Sequence, residues 1–126
     1  MKSIYTKHAP EPAGHYSQAM EHNGLVFVSG QLPVDPVSGT KLTGEIEAQT
    51  LQVLKNLKSI LEASGSGVDR LLKVNIYISD ISLWDRVNKI YTEFMEEHKP
   101  ARAVIPTRDL HYGFSIEAEA VAATYE

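Results

Sequence analysis

Residues 72–95, LKVNIYISDISLWDRVNKIYTEFM, decide the fold class because their hydrophobic period changes from that of a strand to that of a helix. Apolar and polar residues alternate from Leu72 to Ser79, as in a β-strand with one buried face. From Leu83 to Met95 the apolar residues recur every three or four positions, as on the buried face of an amphipathic helix. A strand followed directly by a helix is typical of an α/β fold.

A second stretch, Glu45 to Ser64, has the same helical period, and Gly65 follows it as a stop signal. The later helix is expected to begin near Ser82, which matches a Ser-x-x-Asp capping box with Asp85, and to be closed by Pro100. We therefore expect an α/β two-layer sandwich, a single domain over residues 1–126, with both helices on one face of the sheet. Further strands are predicted near residues 16–20 and at residues 25–29, 103–105 and 116–123.

Composition narrows the function classes. The chain has 12 Lys and Arg against 16 Asp and Glu, a formal net charge of −4, and no basic cluster, so a nucleic acid is not expected as a partner. It contains no cysteine, which excludes disulfides and a cysteine nucleophile. The five histidines lack metal-ligand spacing, so no metal is expected. No apolar run reaches the length of a signal peptide or membrane span, so we expect a soluble, cytoplasmic protein that does not contact membranes.

Two strand segments are more apolar than a half-buried strand requires. Residues 25–28 are apolar at every position, and residues 120–123 also lack a polar face. Two helices cover only one face of a sheet, so we expect another subunit to cover the other face. The alternative is a monomer with a somewhat apolar surface.

A pair of charges in apolar strands is the leading candidate for chemistry. Arg102 begins the strand at residues 103–105, and Glu119 lies within residues 116–122. Period-2 alternation places Glu117 and Glu119 on one face of their strand. Burying a charge without a partner costs free energy, so two carboxylates in such an apolar strand indicate a partner or a function. A structural Arg–Glu pair or an exposed edge remains an alternative on spacing alone.

Six motifs, in order, resemble those of the Rid (reactive intermediate deaminase, YjgF-like) family. They span nearly the whole chain, and their order and spacing make the resemblance specific. They are Gly14-His15-Tyr16-Ser17-Gln18-Ala19, the strand and turn at residues 28–36, Gln49-Thr50 with residues 54–57, residues 87–91, Pro100-Ala101-Arg102, and Ile116-Glu117-Ala118-Glu119-Ala120-Val121-Ala122.

The resemblance implies a chorismate-mutase-like fold, with a mixed sheet of about six strands, and a homotrimer with clefts between subunits. It implies hydrolysis of reactive 2-imino acids and enamines, such as 2-aminoacrylate and 2-iminobutyrate, to 2-keto acids and ammonia without a cofactor. An imine is already an activated electrophile, so positioning and a placed base suffice. This would make the chain a 2-iminobutanoate/2-iminopropanoate deaminase-like hydrolase.

The resemblance also assigns roles to residues. Arg102 matches an arginine that clamps the substrate carboxylate, and its planar fork suits a bidentate pair. Glu119 matches a glutamate that activates water, and the backbone N–H of Val104 matches one that holds the substrate. Tyr16 follows as a further catalytic candidate. The cleft-lining positions are matched by Tyr16, Ser29, Gly30 and Asn88, although each also has an ordinary packing or turn role.

The chain departs from the common family pattern at three places. Val104 replaces a frequent cysteine, and Pro106, which lacks an N–H, indicates an edge strand or a bulge. Residues 110–114, Leu-His-Tyr-Gly-Phe, replace a Leu-Pro-rich turn, and their rings could alter which imine fits. Three alternatives stand beside the deaminase: a trimeric protein that binds or senses carboxylic metabolites, a ribonuclease or translation inhibitor, and a 2-aminomuconate-type deaminase with a larger cleft. The net negative charge of the chain argues against RNA as a substrate or partner. The presence of both Arg102 and Glu119 favours catalysis, because a protein that only binds carboxylates needs the arginine but not the glutamate.

Overall fold

The computed structural model describes residues 1–126 and contains a six-stranded mixed sheet with two α-helices on one face. The strands lie in the order β1-β2-β3-β6-β4-β5, and only β4 and β5 pair in parallel, with the second helix as their crossover. The two-layer α/β prediction is confirmed. The strands are β1 (Lys2–Ile4), β2 (Ala19–His22), β3 (Leu25–Gln31), β4 (Leu71–Ile78), β5 (Ala101–Pro106) and β6 (Ile116–Ala123).

Helix α1 (Ile46–Ala63) has the predicted bounds within one residue. It ends where the sequence indicated, since Gly65 has a φ of +74°, a left-handed conformation that glycine adopts without a steric penalty. All six apolar positions of its predicted stripe are buried in the core: Ile46, Val53, Leu54, Leu57, Ile60 and Leu61.

Helix α2 (Trp84–Met95) differs from its prediction at both ends. A short 3₁₀ turn precedes it, and the side chain of Asp80 accepts a hydrogen bond from the Ser82 N–H at 2.9 Å. Asp80 therefore caps this segment, and the predicted Ser82–Asp85 box is wrong. The helix stops five residues before Pro100, because Glu96 has a φ of +55° and takes the backbone out of the helical region.

The N-terminal part of the chain also corrects the prediction. The strand expected near residues 16–20 begins at Ala19, because residues 14–16 turn instead, with the Tyr16 N–H bonded to the Gly14 carbonyl at 3.0 Å. Strand β1 at the edge of the sheet was not predicted, since three residues are too few to show a period. Neither helix combines the length and the apolar character needed to cross a membrane.

The core lies between the helices and one face of the sheet, and no helix covers the other face. In β3, Val26 and Val28 are buried under the helices, whereas Leu25 and Phe27 remain 37% and 48% exposed. Both sides of this strand carry apolar side chains, and cover of the second side by another subunit stays a prediction. From the strand pairing, the uncovered face, called the open face below, presents Leu25, Phe27, Lys73, Asn75, Tyr77, Glu117, Glu119 and Val121.

Candidate active site

A cavity of about 370 Å³ brings together three of the residues predicted from the sequence. Tyr16, Ser29 and Gly30 line it, and the carboxylate of Glu117 lies in the same wall. We call it the glutamate cavity. Its wall also contains His111 and Tyr112 from the loop before β6.

A β-bulge brings Ser29 and Gly30 to this cavity. The register between β3 and β6 shifts between Val28 and Gln31, so the two residues between them leave the regular ladder. The Ser29 N–H bonds to the Gln18 carbonyl at 2.9 Å, and its hydroxyl donates to the Ser17 carbonyl at 2.6 Å. Both bonds fix the bulge against the loop that carries the N-terminal motif.

Glycine at position 30 allows the side chain of Glu117 to approach the backbone closely. A Cβ placed there would collide with the carboxylate of Glu117, whose Cδ would lie 3.1 Å away. The backbone of Gly30 therefore packs directly against this carboxylate.

Tyr16 stands at the mouth of the cavity, outside any strand. Its hydroxyl accepts a hydrogen bond from the Ala13 N–H at 3.1 Å, and its side chain is 47% exposed. The phenol keeps its own proton free for donation toward the cavity.

The electrostatics of Glu117 suit acid–base chemistry. Burial raises the pKa of this carboxyl, the neighbouring charge of Glu119 raises it further, and His111 acts in the opposite direction. A half-buried carboxyl with a raised pKa in a cavity is a candidate general base. Glu117 was seen in the sequence only as the strand neighbour of Glu119, because alternation cannot distinguish two residues that share a face.

Within the single chain Glu119 lies outside the glutamate cavity, and its predicted role in a cleft between subunits stays a prediction. Its Oε2 accepts hydrogen bonds from the Tyr77 hydroxyl at 2.6 Å and the Asn75 side chain at 3.2 Å. The bond to Glu119 raises the pKa of Tyr77 to about 12. Glu119 lines a separate hollow of the open face together with Phe27 and Lys73, and does not line the glutamate cavity.

Arg102 and Asn88 lie together at the far edge of the sheet. The Arg102 guanidinium donates to Asn88 Oδ1 at 2.8 Å and lies 4.7 Å from the ring centroid of Tyr91. Arg102 and Asn88 line another cavity of about 280 Å³, called the arginine cavity, which is separate from the glutamate cavity. No carboxylate pairs with Arg102 within the chain, so the structural Arg–Glu pair considered above does not form.

Arg102 and the two glutamates point to opposite sides of the sheet. Arg102 pairs with the fully buried Val74 in the ladder and contacts α2, so it lies on the helix-covered side. Glu117 pairs with Tyr77 and lies on the open face. Within one chain, the arginine cavity and the glutamate cavity are therefore separate.

The backbone N–H of Val104 is directed toward the outer edge of β5. The Thr107 N–H donates to the Ile78 carbonyl at 2.8 Å, and parallel pairing alternates with a period of two. The N–H groups of Ile105 and Ala103 thus point to β4, and that of Val104 points away. Pro106 occupies an outward position as well, which confirms the predicted edge strand.

The loop before β6 supplies aromatic walls, as the sequence indicated. His111 and Tyr112 line the glutamate cavity, and the buried Phe114 packs its ring 5.8 Å from that of Tyr112. Tyr112 has a φ of +57°, an unusual conformation for a residue with a side chain. No group of three or more His, Asp or Glu residues is arranged to hold a metal ion.

Comparison with known proteins gives consistent matches over the whole chain. The sequence model of the family described as Endoribonuclease L-PSP matches residues 6–124. A RutC family protein of Pyrococcus horikoshii is 41% identical over 119 residues, which cover 94% of each chain. The crystal structure of YyfA, a Rid family protein of unknown function from Yersinia pestis, has a TM-score of 0.94 at 37% identity and covers 98% of each chain. That of E. coli TdcF with bound serine has a TM-score of 0.93 at 32% identity, with the same coverage.

Proposed function

The chain belongs to the endoribonuclease L-PSP (Rid) family, and from this premise we propose that it hydrolyses 2-imino acids to 2-keto acids and ammonia. Membership supports a deaminase-like enzyme role in general. The observation that carries the specific proposal is the carboxylate of Glu117, held beside Gly30, Ser29 and Tyr16 with its pKa raised by burial.

The general base in this proposal is Glu117 and not Glu119. A base must reach the water that attacks the substrate, and Glu117 faces a cavity large enough for a small molecule. Glu119 already accepts hydrogen bonds from Tyr77 and Asn75, so we assign it the structural role of linking side chains on the open face.

The proposed assembly is a homotrimer in which β5 of one copy meets the glutamate cavity of the next. Arg102 has no carboxylate partner in its own chain, and the open face of the sheet leaves Phe27 and Leu25 half-exposed. Packing the open faces together would bury these apolar side chains. Each cleft would then combine Arg102, Asn88 and the Val104 N–H of one copy with Tyr16, Gly30 and Glu117 of another.

The chemistry in such a cleft is a hydrolysis of the form R–C(=NH)–COO⁻ + H₂O → R–C(=O)–COO⁻ + NH₃. Arg102 holds the carboxylate in a bidentate pair, and the Val104 N–H binds it from the edge strand. Glu117 takes a proton from water as the oxygen bonds to C2, and passes that proton to the nitrogen to give a carbinolamine. The hydroxyl proton then moves through Glu117 to the nitrogen as the C2–N bond breaks, so ammonia leaves and the carbonyl forms.

A bound ligand in a relative supports the recognition step. The solved E. coli TdcF holds serine, which has the same carboxylate and the same nitrogen on C2 as a 2-imino acid. In the cleft that we propose, Arg102 binds such a carboxylate, since its guanidinium has no carboxylate partner in its own chain.

The test is a competition assay. An amino-acid oxidase generates 2-imino acids in the presence of catalase and semicarbazide, and the absorbance of the semicarbazone reports imine that escapes hydrolysis. The parent protein is expected to suppress the adduct, and Arg102→Ala and Glu117→Gln are expected to lose about 10²-fold or more of that activity. Glu119→Gln is the matched control. Binding of a 2-keto acid by a parent that does not suppress the adduct would instead favour a metabolite-binding protein.

A further inference from the structure

The glutamate cavity opens into a second compartment on the side away from Ser29. The two share Ala13, Tyr16, Gly30, Leu32 and Tyr112 as lining residues, so they form one continuous cleft. The second compartment has a volume of about 280 Å³, beside about 370 Å³ for the first. Together they fall within the roughly 300–1,000 Å³ typical of sites for drug-sized ligands, which is far more than a three-carbon imino acid fills.

The second compartment, called the side-chain compartment below, has walls that are mainly apolar or aromatic. Leu32, Val34 and Pro36 come from the segment after β3, and Pro10 from the N-terminal loop. The ring of Tyr112 stands where the two compartments join, half-exposed, with its edge against the buried Phe114. A large neutral side chain placed here would replace water on apolar surface.

The two carboxylates of the compartment already accept hydrogen bonds, and its one lysine contacts an aromatic ring. The carboxylate of Glu11 accepts a bond from the Tyr5 hydroxyl, and Asp35 Oδ1 accepts the N–H of Val37 at 2.8 Å. The ammonium of Lys41 lies 4.8 Å from the ring centroid of Tyr112. The two carboxylates are hydrogen-bonded and the exposed ammonium of Lys41 lies over an aromatic face, so the apolar surface that remains favours a neutral side chain.

Tyr112 is held in position by backbone conformation as well as by packing. Its φ of +57° lies in the left-handed region, where a tyrosine is strained, and Gly113 follows with a φ of +75°. Strain of this kind persists only where the surroundings impose it, and it is concentrated at functional sites. Here it directs the ring to the junction of the two compartments.

We infer that Tyr112 determines specificity and that the preferred substrates are 2-imino acids with a large apolar side chain, aromatic or long aliphatic. The inference rests on the proposed function of the same cleft. The carboxylate and C2 of the substrate lie beside Glu117, and its side chain passes Tyr112 into the compartment formed with Leu32 and Val34.

The experiment compares imines made by an L-amino-acid oxidase from phenylalanine and from alanine, in the semicarbazide assay. We expect the parent to show the higher kcat/KM with the phenylalanine-derived imine. Tyr112→Asn removes the ring, and asparagine tolerates the left-handed conformation, so the fold is retained. This variant is expected to lower the ratio of the two kcat/KM values about tenfold.

Tyr125→Asn is the matched control, because it also removes a half-exposed ring that lies beneath a cation, here Arg70. It is expected to leave the ratio unchanged. A parent that prefers the alanine-derived imine, or a ratio that is equal in Tyr112→Asn and the parent, would overturn the inference while leaving the deaminase proposal intact. Failure to suppress the adduct of any imine would defeat both.

Discussion

Glu117 illustrates at the residue scale how position within a strand sets chemistry. It shares β6 and a face of the sheet with Glu119, yet burial raises its pKa, whereas Glu119 is tied to Tyr77 and Asn75 by hydrogen bonds. Of the two carboxylates, Glu117 is the one that lines the glutamate cavity and has its pKa raised by burial.

This difference predicts the pH dependence of the parent and of Glu117→Gln. A general base must be ionised, so the kcat/KM of the parent should rise with pH through the pKa of Glu117, at a pH above the ordinary 4.5. Glu117→Gln should lose this acid limb, and Glu119→Gln should keep it. A parent profile that is flat from pH 4.5 to 8 would contradict the role of Glu117.

The same shift has a consequence for stability. The folded-state pKa of Glu117 is raised, so the folded protein holds this proton more tightly than the unfolded chain does, and ionising the group above that pKa costs stability. The cost is relieved as pH falls through the folded pKa. Glu117→Gln should therefore have a Tm at pH 7 equal to or above that of the parent, measured by calorimetry, which separates loss of activity from loss of fold.

Gly30 offers a second residue-scale prediction. Gly30→Ala would push the Glu117 carboxylate out of its place, while the extended backbone there accepts alanine. We expect activity in the semicarbazide assay to fall about 10²-fold or more, with little change in the urea midpoint. Gly65→Ala, at the end of α1 with open space around an added Cβ, is a comparison in which strain from a φ of +74° replaces collision. It should lose stability and keep activity.

Several residues that line the two candidate cavities could be named from the sequence, but Glu117, the base that we propose, could not. Arg102, Asn88, Tyr16, Ser29 and Gly30 all line one of these two cavities. The choice between two glutamates on one face depends on the bulge between Val28 and Gln31, which sets Glu117 beside Gly30. A bulge leaves no periodic signal in the sequence, so alternation alone could not make that choice.

At the scale of elements, α1 does more than cover the sheet. Asn56, fully buried on this helix, donates hydrogen bonds to the carbonyls of Leu32 at 3.1 Å and Val34 at 3.0 Å. It thereby fixes the segment after β3, whose side chains line the cleft. The side-chain amide of Asn56 therefore links α1 to the segment that forms the wall of the cleft.

Asn56→Ala should therefore destabilise the protein. The substitution leaves two carbonyls without donors, which costs about 1–3 kcal/mol in the free energy of unfolding. Urea denaturation followed by circular dichroism measures this loss. Lys55→Ala, on the exposed side of the same turn, is the control and should change the stability by about 0.5 kcal/mol or less. Equal midpoints for the two variants would show that the amide bonds contribute nothing.

The elements themselves were largely predictable, and their ends were not. Helical and strand periods located α1, α2, β4 and β6, because each is long enough to show a pattern. The start of α2 was misassigned since Ser82 and Asp85 match a capping box, while the cap belongs to Asp80 two residues earlier. The end of α2 depends on the conformation of Glu96, which a sequence rule based on Pro100 does not detect.

At the scale of the whole molecule, the open face of the sheet is the surface on which the proposed trimer and its shared clefts depend. Phe27 and Leu25 are half-exposed there, and Glu117 opens on the same side of the sheet, whereas Arg102 lies on the other. An apolar strand predicted the need for cover on both faces. The hydrophobic period of the sequence does not predict the number of subunits, because that number depends on the angle at which the sheets of two subunits pack.

Phe27→Asp should disrupt this assembly. A charge at the centre of the open face opposes its burial, so the variant should elute as a monomer of 14.0 kDa while the parent has about three times that mass. Light scattering coupled to size-exclusion chromatography measures both. Val37→Asp, at a turn position that is 93% exposed, is the control and should assemble normally. A parent that is itself monomeric would remove the basis for shared clefts.

The most direct test of the central proposal, a cleft shared between copies, is complementation between two inactive variants. Arg102→Ala and Glu117→Gln, carrying different tags, are produced in one cell, and mixed assemblies are purified through both tags in sequence. If each cleft takes Arg102 from one copy and Glu117 from the next, every trimer that contains both variants restores one of its three clefts. We predict a return of activity to that order. Mixed assemblies as inactive as either variant alone would contradict the shared cleft.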